Sequence, residues 1–324
     1  MLFNSRVDLR SYNLQVSKRM LATVLLGALC LHGQVAQKKG PKRIFTHDRD
    51  VETAFQWTNV PRWDGEFLVG YINNRTSGPV IVTIDRDGRR QETLFTLKDA
   101  GQINLIDVAA SPNGEIEAIG SALGGDRGAT FLARISPDRK SQVVTRVWPY
   151  CPMIVTFAPD GTVWTIGHLK DEANTHEIAN HVLRRFDPSG KLLGSTTLNV
   201  RGDLTDETTY LRSSRDRVGW FNTRIGEYLE FSLDGVEMAR YDGPGAAERD
   251  MTGVGLSPEN DVVAGRFRKD KTELDMLDRE THTWVPVSIP PEVAPTYYTR
   301  VFGFDGTTLV TNHTATELRR FNTR

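Results

Sequence analysis

The stretch FAPDGTVWTIGH, Phe157 to His168, decides the fold because variants of it return along the chain: SPNGEIEAIGS from Ser111, SPENDVVAGRF from Ser257 and FDGTTLVTNHT from Phe304. Each copy carries a turn sequence such as Pro-Asp-Gly or Pro-Asn-Gly, then alternating apolar residues. That is a strand, a tight turn containing a residue that tolerates positive φ, and a second strand. A second hairpin signal lies between the copies, in VTIDRDGRRQETLF, ARISPDRKSQVV, RRFDPSGKLLGS, LEFSLDGVEMAR and DMLDRETHTWVPV. Each unit therefore holds four strands.

The spacing names the architecture. Second-hairpin turns are expected at Gly88, Arg139, Gly190, Gly235 and Glu280, in steps of 51, 51, 45 and 45 residues. First-hairpin turns at Gly65, Gly114, Gly161, Arg217, Asn260 and Gly306 interleave with them. Four short strands about every 45 residues is the period of a β-propeller blade. No segment sustains apolar spacing of three and four, which excludes helical repeats. The next second-hairpin turn falls due where the chain stops, at Arg324, so the last blade lacks its outer strand. The extended segment KRIFTHDRDV, otherwise unassigned, can supply it from the other terminus. The expectation is an all-β, six-bladed propeller over about residues 43–324, closed by the N-terminal strand, with five or seven blades as alternatives. Such closure removes an open sheet edge and ties down a terminus.

The run NHVLRRFDPSGKLLGS, Asn180 to Ser195, resembles the NHL repeat, with its Asn-His entry, apolar strand with Phe-Asp, and Gly-Lys turn. ELRRFNTR at the C-terminus looks like its truncated sibling. Six-bladed NHL-like propellers, the regucalcin and gluconolactonase group and the streptogramin lyases share this look. The resemblance implies the fold, and leaves activity to the site. No residue here matches the acidic and Asn metal ligands of the gluconolactonase group.

Composition adds bounds. The 324 residues are 39% hydrophobic and 25% charged, with a formal net charge of -1, which suits a folded protein with a sizeable core. Lys+Arg at 40 against Asp+Glu at 41 leaves no basic excess for phosphates, so nucleic acid is not an expected partner. Lys18 and Arg19 precede an apolar run, Met20 to Leu31, and then the polar stretch HGQVAQKKG. This is the layout of a secretory signal over residues 1–36, too short for the roughly 20 residues of a membrane span. Cleavage after Gly33 or Ala36, or translation from Met20, is open, and Leu29 argues against a lipoprotein site at Cys30. The expected product is a secreted or periplasmic monomer comprising one domain, residues 37–324. Cys151, then the lone cysteine, sits in apolar YCPMIVTF and reads as a buried small hydrophobe.

Ligands of propellers meet loops that converge on one end of the channel. The long loop after the second strand of blade three, His168 to Asn180, carries His168, Asp171, Glu172, His176 and Glu177. Seven residues on from the first-hairpin glycine, Gly161 leads to His168 and Gly306 to His313, in blades that face each other across a six-fold ring. Two imidazoles in one mouth could hold a divalent metal or share acid–base catalysis. Arg224 takes that place in blade four and could clamp an anionic group. Tyr150, Tyr210, Tyr297 and Tyr298 lie in or beside inter-blade loops, where aromatics either bind sugars, peptides or flat ligands or wedge blades together. His181 is expected to brace a strand, and His47 and His282 to be structural or solvent-facing. The RGD at Arg201 to Asp203 has no adhesive context, and no nucleophile elbow, phosphate loop, dinucleotide fingerprint or paired-Cys motif is present. The favoured reading is a binding or scaffold module that presents one face to a small-molecule, glycan or protein ligand. The alternative is a metal-assisted hydrolase or lyase acting on a small ester, lactone or glycan-derived substrate.

Overall fold

The computed structural model of the chain describes residues 45–53, 57–74, 78–124, 129–171, 176–200, 209–223, 226–243, 251–268, 271–290, 299–314 and 317–323. The signal region expected over residues 1–36 lies outside them. Among the described residues every regular element is a β-strand, and 24 strands sort into six antiparallel sheets of four. None of the described residues forms a helix long and apolar enough to cross a membrane.

The sheets are blades. Blades one to five run in chain order from inner to outer strand, over Arg62–Leu94, Gln102–Arg146, Tyr150–Thr197, Thr209–Asp242 and Met251–Pro286. Blade six takes Val301–Phe304, Thr308–Asn312 and Glu317–Thr323, and its outer strand is Phe45–Glu52 from the other end of the chain. Inner strands of successive blades touch from blade two round to blade one, and the inner strand of blade two packs on the second and third strands of blade one. The described residues fall in one compact unit, Lys42–Arg324.

The repeated phrase has a local physical cause. Its turn needs a left-handed residue, and Gly161 supplies one at φ +80°. Even Arg139 adopts φ +61° where the second hairpin of blade two requires it, while in blade five the left-handed residue is His282 and not the expected Glu280. The Ile-Gly that ends the phrase answers a bulge. The inner strand of blade three slips register between Pro152 and Ile154, opposite Gly167, and a Cβ on Gly167 would lie 2.1 Å from the Cys151 carbonyl oxygen. Blade two repeats this, with a slip between Leu105 and Asp107, and a Cβ on Gly120 would lie 2.2 Å from the Asn104 oxygen.

The core is six seams, one between each pair of neighbouring blades. Successive side chains on a strand point to opposite faces, and in a blade both faces are covered. Thus Val163 packs toward blade two with Val155 and Phe157, while Trp164 and Ile166 pack toward blade four against Trp220 and Leu229. Outer strands escape this burial: LLGSTT, Leu192–Thr197, is exposed along its whole length.

Closure rests on the strand Phe45–Glu52, paired antiparallel with Glu317–Thr323 from Phe45 opposite Thr323 to Glu52 opposite Glu317. Phe45 is fully buried, edge-on to Phe304 at 5.7 Å. Arg319 grips Asp50 with two hydrogen bonds of 2.9 Å, and His47 Nε2 lies 3.1 Å from the same carboxylate. These bonds, Arg319 foremost, hold the Asp50 carboxyl at about 2, against 3.8 ordinarily. A carboxyl pKa depressed by folding adds stability above the unfolded pKa and loses it as pH falls through the folded one. With a third of the side chain exposed, solvent screening limits the gain to about 1 kcal/mol or less. Asp50→Asn should therefore destabilise the protein by up to that amount at pH 7 and by much less near pH 2. Urea midpoints of parent and variant at the two pH values check this, and an equal gap at both would remove the ion pair from the latch.

Candidate functional site

At the ring axis the inner strands bring charged side chains together. Arg62, from blade one, donates to the Val155 carbonyl of blade three and, at 3.3 Å, to the Leu211 carbonyl of blade four. Asp107, from blade two, lies 3.5 Å from Arg62 and accepts the Val155 N–H at 3.0 Å. Arg212, from blade four, donates to the carbonyls of Val254 in blade five at 3.2 Å and Phe302 in blade six at 3.4 Å. Asp64 adds a second carboxylate, 4.0 Å from Arg62. Every blade contributes a group, so the axis is a charged plug. Burial, with Arg62 beside it, pushes Arg212 down to about 10, and burial raises Asp64.

This plug decides what the axis can hold. A divalent cation wants carboxylate, carbonyl or imidazole donors and no competing charge. Here two guanidiniums occupy the carbonyls and face the carboxylates. The residues do not fit a metal.

His168 lies on the second strand of blade three, opposite Cys151. It shares a strand face with Trp164 and Ile166 and so looks into the seam toward blade four. Its Nε2 is 3.6 Å from Glu177 Oε1, and burial lowers its pKa against the opposing pull of that carboxylate. His181, at φ +54°, packs against Trp220 with ring centroids 5.8 Å apart. His313 lies past the end of its strand and accepts at Nε2 from Arg319 at 3.1 Å, because a guanidinium can only donate.

The two histidines do not hold equivalent places. The turn before the second strand of blade six, Asp305 N–H to Thr308 carbonyl, is one residue shorter than its counterpart, Ala158 N–H to Thr162 carbonyl. A one-residue change flips every side chain to the other face. The residue that looks toward the next blade, as His168 does, is Asn312, in phase with Val310 in the seam toward blade one. Among the described residues no contact joins His168 to His313, and no three His, Cys, Asp or Glu side chains converge as a metal site would need.

The other expected residues are scattered. Tyr150, for which the sequence leaves both ligand binding and a blade wedge open, is fully buried, its hydroxyl 2.8 Å from Thr165 Oγ1 and donating to the Val182 carbonyl at 3.1 Å, with Arg184 over its ring at 4.3 Å. It wedges blades two and three. Asp171 N–H donates to the His176 carbonyl at 2.9 Å, and Asp171 Oδ1 accepts the His176 N–H at 3.2 Å, closing the base of the long loop. Arg224, Glu172, Tyr297 and Tyr298 lie outside the described residues. Cys151 is buried, and burial raises its thiol pKa, consistent with a small hydrophobe.

A cleft of about 330 Å³ opens instead at the seam where blade six meets blade one. The connection from the closing strand contributes Thr53, Trp57, Asn59 and Pro61, and blade six contributes Arg300, Phe302, Asn312, Thr314, Glu317 and Leu318. The connection is pinned along Phe67–Asn74. Thr58 N–H donates to the Tyr71 carbonyl at 3.0 Å, Thr58 Oγ1 accepts from Asn73 N–H at 2.8 Å, and Asn59 Oδ1 accepts from Tyr71 N–H at 3.0 Å. Trp57 lies over Gly70, where a Cβ would come within 2.4 Å of the indole. Across the cleft Asn312 Oδ1 accepts the Arg300 N–H, and Thr314 Oγ1 donates to Glu317 Oε2 at 3.3 Å. Sequence reasoning singled out none of these residues. The available signal was the polar, aromatic stretch WTN at positions 57–59, in the connection that follows the closing strand.

No family model matches the chain, and no curated protein matches it in sequence. Solved structures do match in shape. One is a protein of unknown function from Bacteroides thetaiotaomicron, 12% identical, with a TM-score of 0.55 over 86% of this chain and 73% of that one. Another is a gluconolactonase from Xanthomonas campestris, 15% identical, with a TM-score of 0.52 over 89% of this chain and 99% of that one. The likeness is one of fold. The chain is a six-bladed β-propeller.

Proposed function

We propose that this propeller is an exported binding module that takes a small polar molecule in the cleft between blades six and one. The observation that carries this is the lining: a guanidinium, two amides, two hydroxyls and a carboxylate, set beside an indole and Phe302 in one concavity. Small-molecule sites have this character, an apolar floor with a few placed polar groups, at volumes from about 300 Å³ upward. Export is supported by the apolar run Met20–Leu31 behind Lys18 and Arg19. Among the described residues the axis is filled by arginines and offers metal-assisted hydrolysis no donor set.

Two measurements test the reading. Metal analysis of the purified protein should find far less than one divalent ion per chain, while about one tightly held ion would restore the hydrolase reading. Thermal-shift screening of small polar compounds should find binders that stabilise the parent. Their effect should be lost in Trp57→Ala, which removes the indole from the cleft. Binders that stabilise parent and variant alike would place the site elsewhere.

A further inference from the structure

Resting on the cleft as the binding site, we infer that its ligand is a small organic acid, held by its carboxylate. The inference comes from which ends of two amides the fold has used. Asn59 Oδ1 is taken by the Tyr71 N–H, and Asn312 Oδ1 by the Arg300 N–H. A backbone N–H can only donate, so each amide must turn its oxygen to the backbone. Each thereby keeps its NH₂ group, two N–H donors, on the end turned away from that backbone bond, in a residue that lines the cleft. Arg300 brings a guanidinium to the same lining. Against these donors stands one anionic acceptor, Glu317, one of whose oxygens already receives the Thr314 hydroxyl.

A cleft rich in fixed donors favours a ligand rich in acceptors. An ionised carboxylate offers two acceptor oxygens and no donor, and its bonds to amide and guanidinium N–H groups are charge-assisted. Trp57 and Phe302 supply the apolar area against which the body of the acid packs. A neutral amide of the same shape would turn an N–H toward the cleft donors, and a site built for acceptors rejects such an analogue strongly.

Benzoate and benzamide, equal in shape and opposite in one polar group, are the probes, with isothermal titration calorimetry as readout. Benzoate should bind the parent at least about tenfold more tightly than benzamide does. Asn312→Asp and Asn59→Asp keep the oxygen that caps the backbone N–H, so melting temperatures should hold. Each replaces donors with a negative charge, and benzoate affinity should fall by about tenfold or more. Glu317→Gln removes the like charge and should tighten benzoate several-fold. Benzamide binding as well as benzoate, unaltered benzoate affinity in both Asn→Asp variants, or no benzoate binding would each overturn the organic-acid assignment. Benzamide binding as tight as that of benzoate, and lost in Trp57→Ala, would overturn the acid while leaving the cleft as the site. If neither probe binds and every screened binder survives Trp57→Ala, the cleft reading falls as well.

Discussion

Arg212→Met should cost about 3–5 kcal/mol of unfolding free energy, read from urea denaturation by tryptophan fluorescence. Arg212 is buried at the axis and donates to carbonyls of blades four, five and six. Removing the guanidinium takes a donor from the Val254, Phe302 and Leu211 carbonyls, of which Leu211's keeps Arg62, in a place water does not readily reach, and deprives Asp64 and Asp107 of a nearby positive charge. Methionine keeps much of the apolar stem, so the loss reports on the charge and its hydrogen bonds more than on volume. Arg212→Lys should recover little, because one ammonium cannot span carbonyls on separate blades as a planar fork does. A cost below about 1 kcal/mol for Arg212→Met would mean that the plug contributes nothing to ring closure.

Deleting the strand Phe45–Glu52 should cost at least about 4 kcal/mol and make the protein associate more than the parent does. Phe45 alone is a fully buried aromatic packed with Phe304 and Phe321, and loss of such a side chain costs about 3–5 kcal/mol. The backbone bonds to Glu317–Thr323 go with it, as does the Asp50–Arg319 pair. Blade six is then left with three strands and an open edge, the template that sheets use to pair with other chains. Thermal melts and light scattering of the truncated protein measure both effects. The point variant Phe45→Ala separates them, since it should lower the melting temperature while leaving the edge paired. A truncated protein that melts with the parent and associates no more than it does would remove the closing strand from the account of stability.

The fold was legible because its determinants are local and repeated. Pro-Asp-Gly turns and alternating strands specify hairpins wherever they occur, and a period of about 45 residues states how many hairpins one blade takes. The borrowed strand was legible as an extended segment near residue 45 that belongs to no repeat, and it pairs with Glu317–Thr323. The site was less legible. Counting seven residues from Gly161 and Gly306 paired His168 with His313, yet a turn shorter by one residue turns His313 away from that place and puts Asn312 there. A hairpin signal marks where a turn is, and its length is fixed only when the strands pair.

The sequence by itself determined the six four-stranded blades, the all-β class and the N-terminal closing strand, because turn residues and period-two patterns act over a few positions. Only the tertiary structure decided that the axis is filled by Arg62, Arg212, Asp64 and Asp107, that Tyr150 is a wedge, and that the polar cleft lies between blades six and one. Those outcomes join residues from strands far apart in the chain, such as Arg62 with Val155 and Arg212 with Phe302. Which of them meet depends on how six twisted sheets close around one axis, a long-range condition that no local pattern of residues encodes.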